Sequence, residues 1–252
     1  MNFTPLKTKN NVLYLTEELS SFSNIYIAVR EKENRILTDN EVAILPYLNR
    51  YEWPLREKST ERFIQYISLK KKPLNILDLG CGNGWFSHKI ACINASNNIL
   101  GLDVNKEELE QASRIFKKDN LQFAYGDIFT ISKNYKTSFD VITLNGCIQY
   151  FQDFNLLLQA LVQLLKPNGE IHIIDSPFYK KEELVVAKKR TIQYYTQLGF
   201  PEMASHYFHH EIDKLDRFTI LYQKKTNILN KILGKKDSPF SWYRYSKSKH
   251  EQ

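Results

Sequence analysis

The strongest chemical signal in the chain is Ile76-Leu77-Asp78-Leu79-Gly80-Cys81-Gly82-Asn83-Gly84-Trp85. An apolar run ending in an acid feeds three glycines at alternate positions, and a second apolar segment follows. Glycines in such a turn let the backbone reverse tightly and approach a ligand with no Cβ in the way. Dinucleotide loops read Gly-x-Gly-x-x-Gly; this loop is one residue shorter. Asp103 closes the next apolar run, Leu100-Gly101-Leu102-Asp103, where a carboxylate can accept both hydroxyls of a ribose. Gly126-Asp127-Ile128 follows a third run, where an acid can accept from an adenine amine.

A second cluster, His206-Tyr207-Phe208-His209-His210-Glu211, offers metal ligands or a base. Read as a strand, it puts His206 and His210 on one face, too far apart to share one ion, and His209 on the other with Tyr207. No metal is expected, and His209 is retained as a candidate base or acceptor contact.

The elements that must position these residues alternate from Pro73 onward. Strands are expected at Asn75–Leu79, Asn98–Leu102, Gln122–Ala124, Phe139–Leu144 and Glu170–Asp175, with helices at Trp85–Cys92, Lys106–Lys117 and Asn155–Leu165. Short apolar strands alternating with helices predict an α/β, doubly wound, mostly parallel sheet, which binds ligands at the carboxyl ends of its strands. Three ligand-type features at three successive strand ends fit that edge. Before the core, Asn24–Val29 reads as a strand, Thr38-Asp39-Asn40-Glu41 as a capping box and Ser59–Leu69 as a helix. After it come a helix over Lys181–Leu198 and a terminal strand pair near Ser205–His209 and Phe218–Tyr222. The expected divisions are residues 1–72, a core at 73–225 and a basic tail at 226–252.

Composition is that of a globular protein, 42% hydrophobic and 25% charged, with no apolar run long enough to span a membrane. Cys81, Cys92 and Cys147 are odd in number and widely spaced, which fits a reducing cytoplasm. Between Lys224 and Gln252, eight basic residues face two acidic ones, so six of the seven net positive charges lie there. Nucleic-acid binders usually spread basic charge over a face. A charge confined to a terminus argues for a solvated tail and against a nucleic-acid partner.

Taken together, residues 73 to about 225 resemble the class I S-adenosylmethionine-dependent methyltransferases, especially those acting on small molecules. The loop Asp78–Gly84 is similar to that family's first motif, Asp103 to its ribose acid and Asp127 to its adenine-contacting acid. Phe139–Asn145 and Leu164–Glu170 are similar to its fourth and fifth strand segments. The resemblance implies a Rossmann-like, seven-stranded sheet with an antiparallel terminal strand, an N-terminal helical extension, and S-adenosyl-L-methionine as cofactor. The implied cofactor contacts are Asp78, Gly80, Cys81, Gly82, Asn83, Gly84, Asp103, Val104, Gly126, Asp127, Ile128 and Asn145.

Many relatives carry a His pair after the fourth strand; here the stretch is Cys147-Ile148-Gln149-Tyr150-Phe151. Gln149 cannot act as a base and Tyr150 is a poor one, so both are expected to touch the methyl or the acceptor. Relatives also carry a lid where this chain has Tyr51, Trp53 and Arg56, and Phe240–Tyr245 is a candidate to fold back on the pocket. The leading function is methyl transfer to a small-molecule acceptor. The alternatives are a nucleic-acid or protein methyltransferase using the basic tail, and a non-catalytic S-adenosylmethionine-binding protein.

Overall fold

The computed structural model describes residues 3–18, 22–50, 52–223 and 237–248. Its centre is a sheet of five parallel strands: β3 (Asn75–Leu79), β4 (Asn98–Asp103), β5 (Leu121–Tyr125), β6 (Phe139–Asn145) and β7 (Leu165–Ile174). Their order is β5-β4-β3-β6-β7, so the chain runs outward from β3 in one direction, then returns to build the other side. The switch point lies between β3 and β6, where the glycine loop leaves the sheet.

Alternate residues of these strands pack on opposite faces. Ile76, Ile99, Phe123 and Val141 join α3 (Trp53–Ser68) and α4 (Trp85–Ala91). Leu77, Leu100, Ala124 and Ile142 join α6 (Ile128–Asn134) and α7 (Phe154–Leu164). Burial on both faces explains why the strands read as continuous apolar runs and not as alternation. α5 (Lys106–Ile115) starts directly after β4, its first turn capped by the Asn105 side chain.

The sheet has nine strands, where seven were expected. A hairpin of β1 (Lys7–Lys9) and β2 (Val12–Tyr14) adds one edge, with β2 parallel to β5. Its two-residue turn, Asn10-Asn11, has φ of 50° and 61°, the left-handed pair that suits a tight hairpin. At the other edge β8 (Thr219–Tyr222) pairs antiparallel with β9 (Trp242–Ser246), which pairs antiparallel with β7. The basic tail is therefore corrected in part. Residues 242–246 form an internal strand, with Trp242, Tyr243 and Tyr245 buried. Lys224, Lys225, Lys231, Lys235, Lys236 and Lys249 lie outside the described residues.

Two further expectations are overturned. Asn24–Val29 is not a strand but part of helix α1 (Phe22–Lys32). Its β-branched residues favour strand locally, but Val29 packs with Tyr195 and Met203, and tertiary packing overrides propensity. Ser205–His209 is not a strand either: Pro201–His206 forms 3-10 turns after α8 (Leu184–Leu198). Capping at Thr38 does start a short helix, α2 (Asp39–Ala43), with the reciprocal Glu41 bond in place.

Candidate functional site

The carboxyl ends of β3, β4, β5 and β6 open into a cavity of about 380 Å³. Its floor is the glycine loop, where Gly80, Gly82 and Gly84 all have positive φ (71°, 51° and 74°). At Gly80 a Cβ would stand 2.6 Å from that of Cys147, so the segment leaving β6 can pass only because glycine is there. Gly84 is a different case. It does not border the cavity, and its missing Cβ makes room for the Phe123 ring. The other eleven expected cofactor contacts all border the cavity.

The acids beside the loop do unequal work. Asp78 is buried beneath it, with Ser87 donating to one oxygen (2.6 Å) and Thr143 to the other (2.9 Å). Burial raises its pKa to about 6 despite those bonds. Asp78 thus ties β3 to α4 and β6. Asp103 accepts from the Gly82 amide (2.8 Å) and from the amides of Val104 (2.7 Å) and Asn105 (2.9 Å). Burial pushes its pKa up, with the three amides opposing. Asp127 caps α6 through Thr130, its oxygen accepting from both the amide and the hydroxyl. Each fixed carboxylate oxygen keeps further lone-pair capacity toward a ligand.

Three asparagines aim unspent hydrogen-bonding capacity at this space. The Asn145 side-chain oxygen and nitrogen, Asn83 Oδ1 and Asn105 Nδ2 are buried and have no protein partner among the described residues. Buried polar atoms are nearly always paired, so such a ring at a strand-end cavity could hold the polar groups of a ligand.

Sequence reasoning missed Glu108, Tyr26 and Arg30, which also line the cavity. Glu108 approaches the loop so closely that a Cβ on Gly82 would meet its Oε2 at 3.2 Å. Burial, then the Asp103 charge, lifts its pKa to about 7. Its signal was available: Glu108 is the first-turn acid at the N-terminus of α5, five residues past Asp103. Tyr26 and Arg30 stood four apart, the spacing of one helix face, and Arg30 Nε donates to the Tyr26 hydroxyl at 3.0 Å. Reading this segment as a strand concealed that pair. Of the expected lid residues, Trp53 and Arg56 line the cavity, and Tyr51 lies outside the described residues.

A second cavity, about 430 Å³, adjoins the first and shares Tyr26, Arg30, Arg35, Glu52, Arg56, Gly146 and Tyr150 with it. The three expected acceptor-side residues are placed differently. Tyr150 lines both cavities, packed edge-on to Tyr26 and Tyr207, and burial raises its pKa. Gln149 lines the second cavity and donates to the Gly146 carbonyl at 2.7 Å. His209 borders neither; its Nε2 lies 2.9 Å from the Thr191 hydroxyl and its ring packs at a tilt against Tyr179 and Tyr207. Within the expected fold-back segment, Phe240 lines the second cavity while 242–245 belong to the sheet.

Comparison with known proteins places this geometry. A demethylmenaquinone methyltransferase of Lactococcus lactis is 32% identical over 117 residues, 43% of this chain and 46% of that protein. A malonyl-[acyl-carrier protein] O-methyltransferase of Halalkalibacterium halodurans is 30% identical over 123 residues, 46% of this chain and 45% of that protein. The matched region thus spans less than half of either relative. In fold, the chain is similar to a solved putative S-adenosyl-L-methionine-dependent methyltransferase of Methanococcus maripaludis (TM-score 0.53, 17% identity, 94% of this chain and 99% of that one). A family model described as a methyltransferase domain matches residues 70–232, well over half the chain and the whole of the parallel core: the chain belongs to the methyltransferase-domain family.

Proposed function

We propose that this protein is an S-adenosylmethionine-dependent methyltransferase acting on a small-molecule acceptor. The observation that carries it is the cavity at the switch point: a glycine cradle, half-buried carboxylates at the end of β4 and the start of α5, and unpartnered asparagine amides facing the same space. These residues fit the cofactor's chemistry. Asp103 and Glu108 are the carboxylates available to ribose hydroxyls, and Asp127, Ile128 and Phe129 form the wall suited to an adenine. Gly80 to Asn83 and Asn145 are the polar surface left for the amino-acid end. When bound, S-adenosylmethionine supplies an electrophilic methyl group on a sulfonium.

The protein's own contribution is placement and exclusion of water, which supply most of the acceleration for an in-line displacement. Tyr26 and Tyr150 close the wall between the two cavities, and the second cavity holds the acceptor. The small-molecule reading is supported by the relatives described above, which are named for demethylmenaquinone and for malonyl-[acyl-carrier protein]. Free Cys81, Cys92 and Cys147 support a cytoplasmic location.

The test is ligand-induced stabilisation. S-Adenosylhomocysteine should raise the melting temperature and NAD should not. Asp103→Asn should weaken S-adenosylhomocysteine binding roughly 10- to 100-fold by calorimetry, the effect of spoiling charge-assisted hydrogen bonds. Stabilisation by NAD alone would refute the proposal.

A further inference from the structure

We propose that the acceptor is a small-molecule carboxylate, methylated on oxygen to its methyl ester and held for transfer by Arg56. This rests on the reading of the first cavity as the methyl-donor site.

Arg56 stands where the two cavities meet. Its guanidinium lies 3.2 Å from where a Cβ on Gly146 would be, and Gly146 has φ of 67° at the end of β6. A Cβ at that position would push the guanidinium aside by a few tenths of an ångström. Gly146 is hydrogen-bonded to Ile174 across the sheet, so this is the strand edge where bound ligands lie.

The guanidinium there lies over the Trp53 ring at 5.4 Å and its charge opposes the rise in the Asp175 pKa, but its hydrogen-bonding capacity is open. Glu52 is held by Arg35 at 3.2 Å and reaches Arg56 only at 3.9 Å. Glu33 is taken by Arg30 and Arg35, each at 3.6 Å. Among the described residues the Arg56 guanidinium donates no hydrogen bond, yet it is only 21% exposed. A guanidinium held in place with its donor fork open suits a planar carboxylate. Arg190, exposed at the outer rim of the second cavity, adds positive charge there.

The second cavity is also poor in bases, which a hydroxyl or amine acceptor would need. No histidine lines it among the described residues. Asp175 borders it, with one oxygen accepting from Ser59 and Ser238 (2.7 Å each) and the other buried with no hydrogen-bond partner among the described residues. Burial raises the pKa of the Tyr150, Tyr195 and Tyr207 hydroxyls above the ordinary value, which keeps them protonated. An acceptor that arrives already ionised needs none of them. One carboxylate oxygen uses its lone pair to form the new O–CH3 bond while the donor's CH3–S bond breaks, the pair remaining on sulfur. The negative charge on the carboxylate and the positive charge on the sulfonium are both consumed, and no proton moves.

The test uses tritiated-methyl S-adenosylmethionine with a panel of carboxylic acids (malonate, benzoate, octanoate), phenols and amines, and a deproteinised bacterial cell extract. Methyl esters release volatile labelled methanol in mild alkali; ethers and methylamines do not. The expected result is alkali-labile label, with Arg56→Gln lowering it roughly 30- to 100-fold, as for loss of a charged hydrogen-bond partner. S-Adenosylhomocysteine affinity, measured separately, should change by less than about 5-fold in that variant. Alkali-stable label overturns the inference. So does an absence of label from wild-type protein that binds S-adenosylhomocysteine, and so does an Arg56→Gln variant that keeps ester formation or loses cofactor binding in proportion. Failure of the wild-type protein to bind S-adenosylhomocysteine overturns the donor-site reading and this inference with it.

Discussion

Replacing Gly84 by alanine separates the architectural role of the glycine loop from its ligand role. Gly84 has φ of 74°, where an alanine costs about 1–2 kcal/mol. Its Cβ would stand 2.5 Å from two ring carbons of Phe123 and 2.7 Å from the Ala112 Cβ. Phe123 sits in β5 and Ala112 in α5, both buried, so neither can swing aside. Overpacking of this kind adds about 1–3 kcal/mol, for a total of about 2–5 kcal/mol. At roughly 2–4 °C per kcal/mol for a chain of this size, a mid-range loss of about 3.5 kcal/mol lowers the melting temperature by about 7–14 °C. Calorimetric melting measures that, and titration with S-adenosylhomocysteine below the transition should show nearly intact affinity, because Gly84 does not border the cavity. Gly82→Ala is the counterpart. Its Cβ meets only the flexible Glu108 carboxylate at 3.2 Å, inside the cavity, so binding should suffer more than stability. A Gly84→Ala protein that melts within about 2 °C of wild type but binds the ligand poorly would refute the assignment.

Glu108 has a folded pKa of about 7 against 4.5 for the free side chain, so its contribution to stability is fully present below about pH 4.5 and is lost as pH rises through 7. Melting of the ligand-free protein should decline over that window, Asp78 contributing in the same direction with its pKa of about 6, and Glu108→Gln should flatten the decline. Glu170 behaves oppositely. Burial would raise its pKa, but hydrogen bonds to His172 and Lys70 outweigh that and hold it at about 2. Its stabilisation is therefore present above pH 4.5 and lost as pH falls toward 2; Glu170→Gln should lower the urea midpoint at pH 7 and narrow the gap from wild type at pH 3. Trp242→Ala empties a buried site on β9 and frees His172 Nδ1 from a 3.1 Å bond, a loss of about 3–5 kcal/mol by urea denaturation. A loss under about 1 kcal/mol would show that β9 is dispensable to the sheet.

The core was legible because its signals are local. A buried parallel strand must be apolar along its whole length, and a tight turn at positive φ must be glycine. Asn75–Leu79 therefore reads as a strand, and Asp78 to Gly84 as a loop, without any neighbour in view. Asp103, Asp127 and Asn145 could be placed at strand ends for the same reason. What each acid does there was not local. Asp78 and Asp103 occupy similar positions in the pattern, yet Ser87 and Thr143 engage both oxygens of one, while backbone amides orient the other toward the cavity.

Contacts far apart in sequence decided the rest. Whether Asn24–Val29 was helix or strand depended on Tyr195 and Met203, more than 160 residues away. Whether the terminus was a tail or a strand depended on β7 offering a free edge to Trp242–Ser246. His209 stood among three histidines in sequence but turned to Thr191, whereas Arg56, one of the three expected lid residues, reached the junction of two cavities. Sequence alone determined the glycine cradle and the strand ends that present it, because backbone geometry imposes those residues one position at a time. Only the tertiary structure decided which side chains line the second cavity, because that follows from the packing of α1, α3 and the sheet edge against one another.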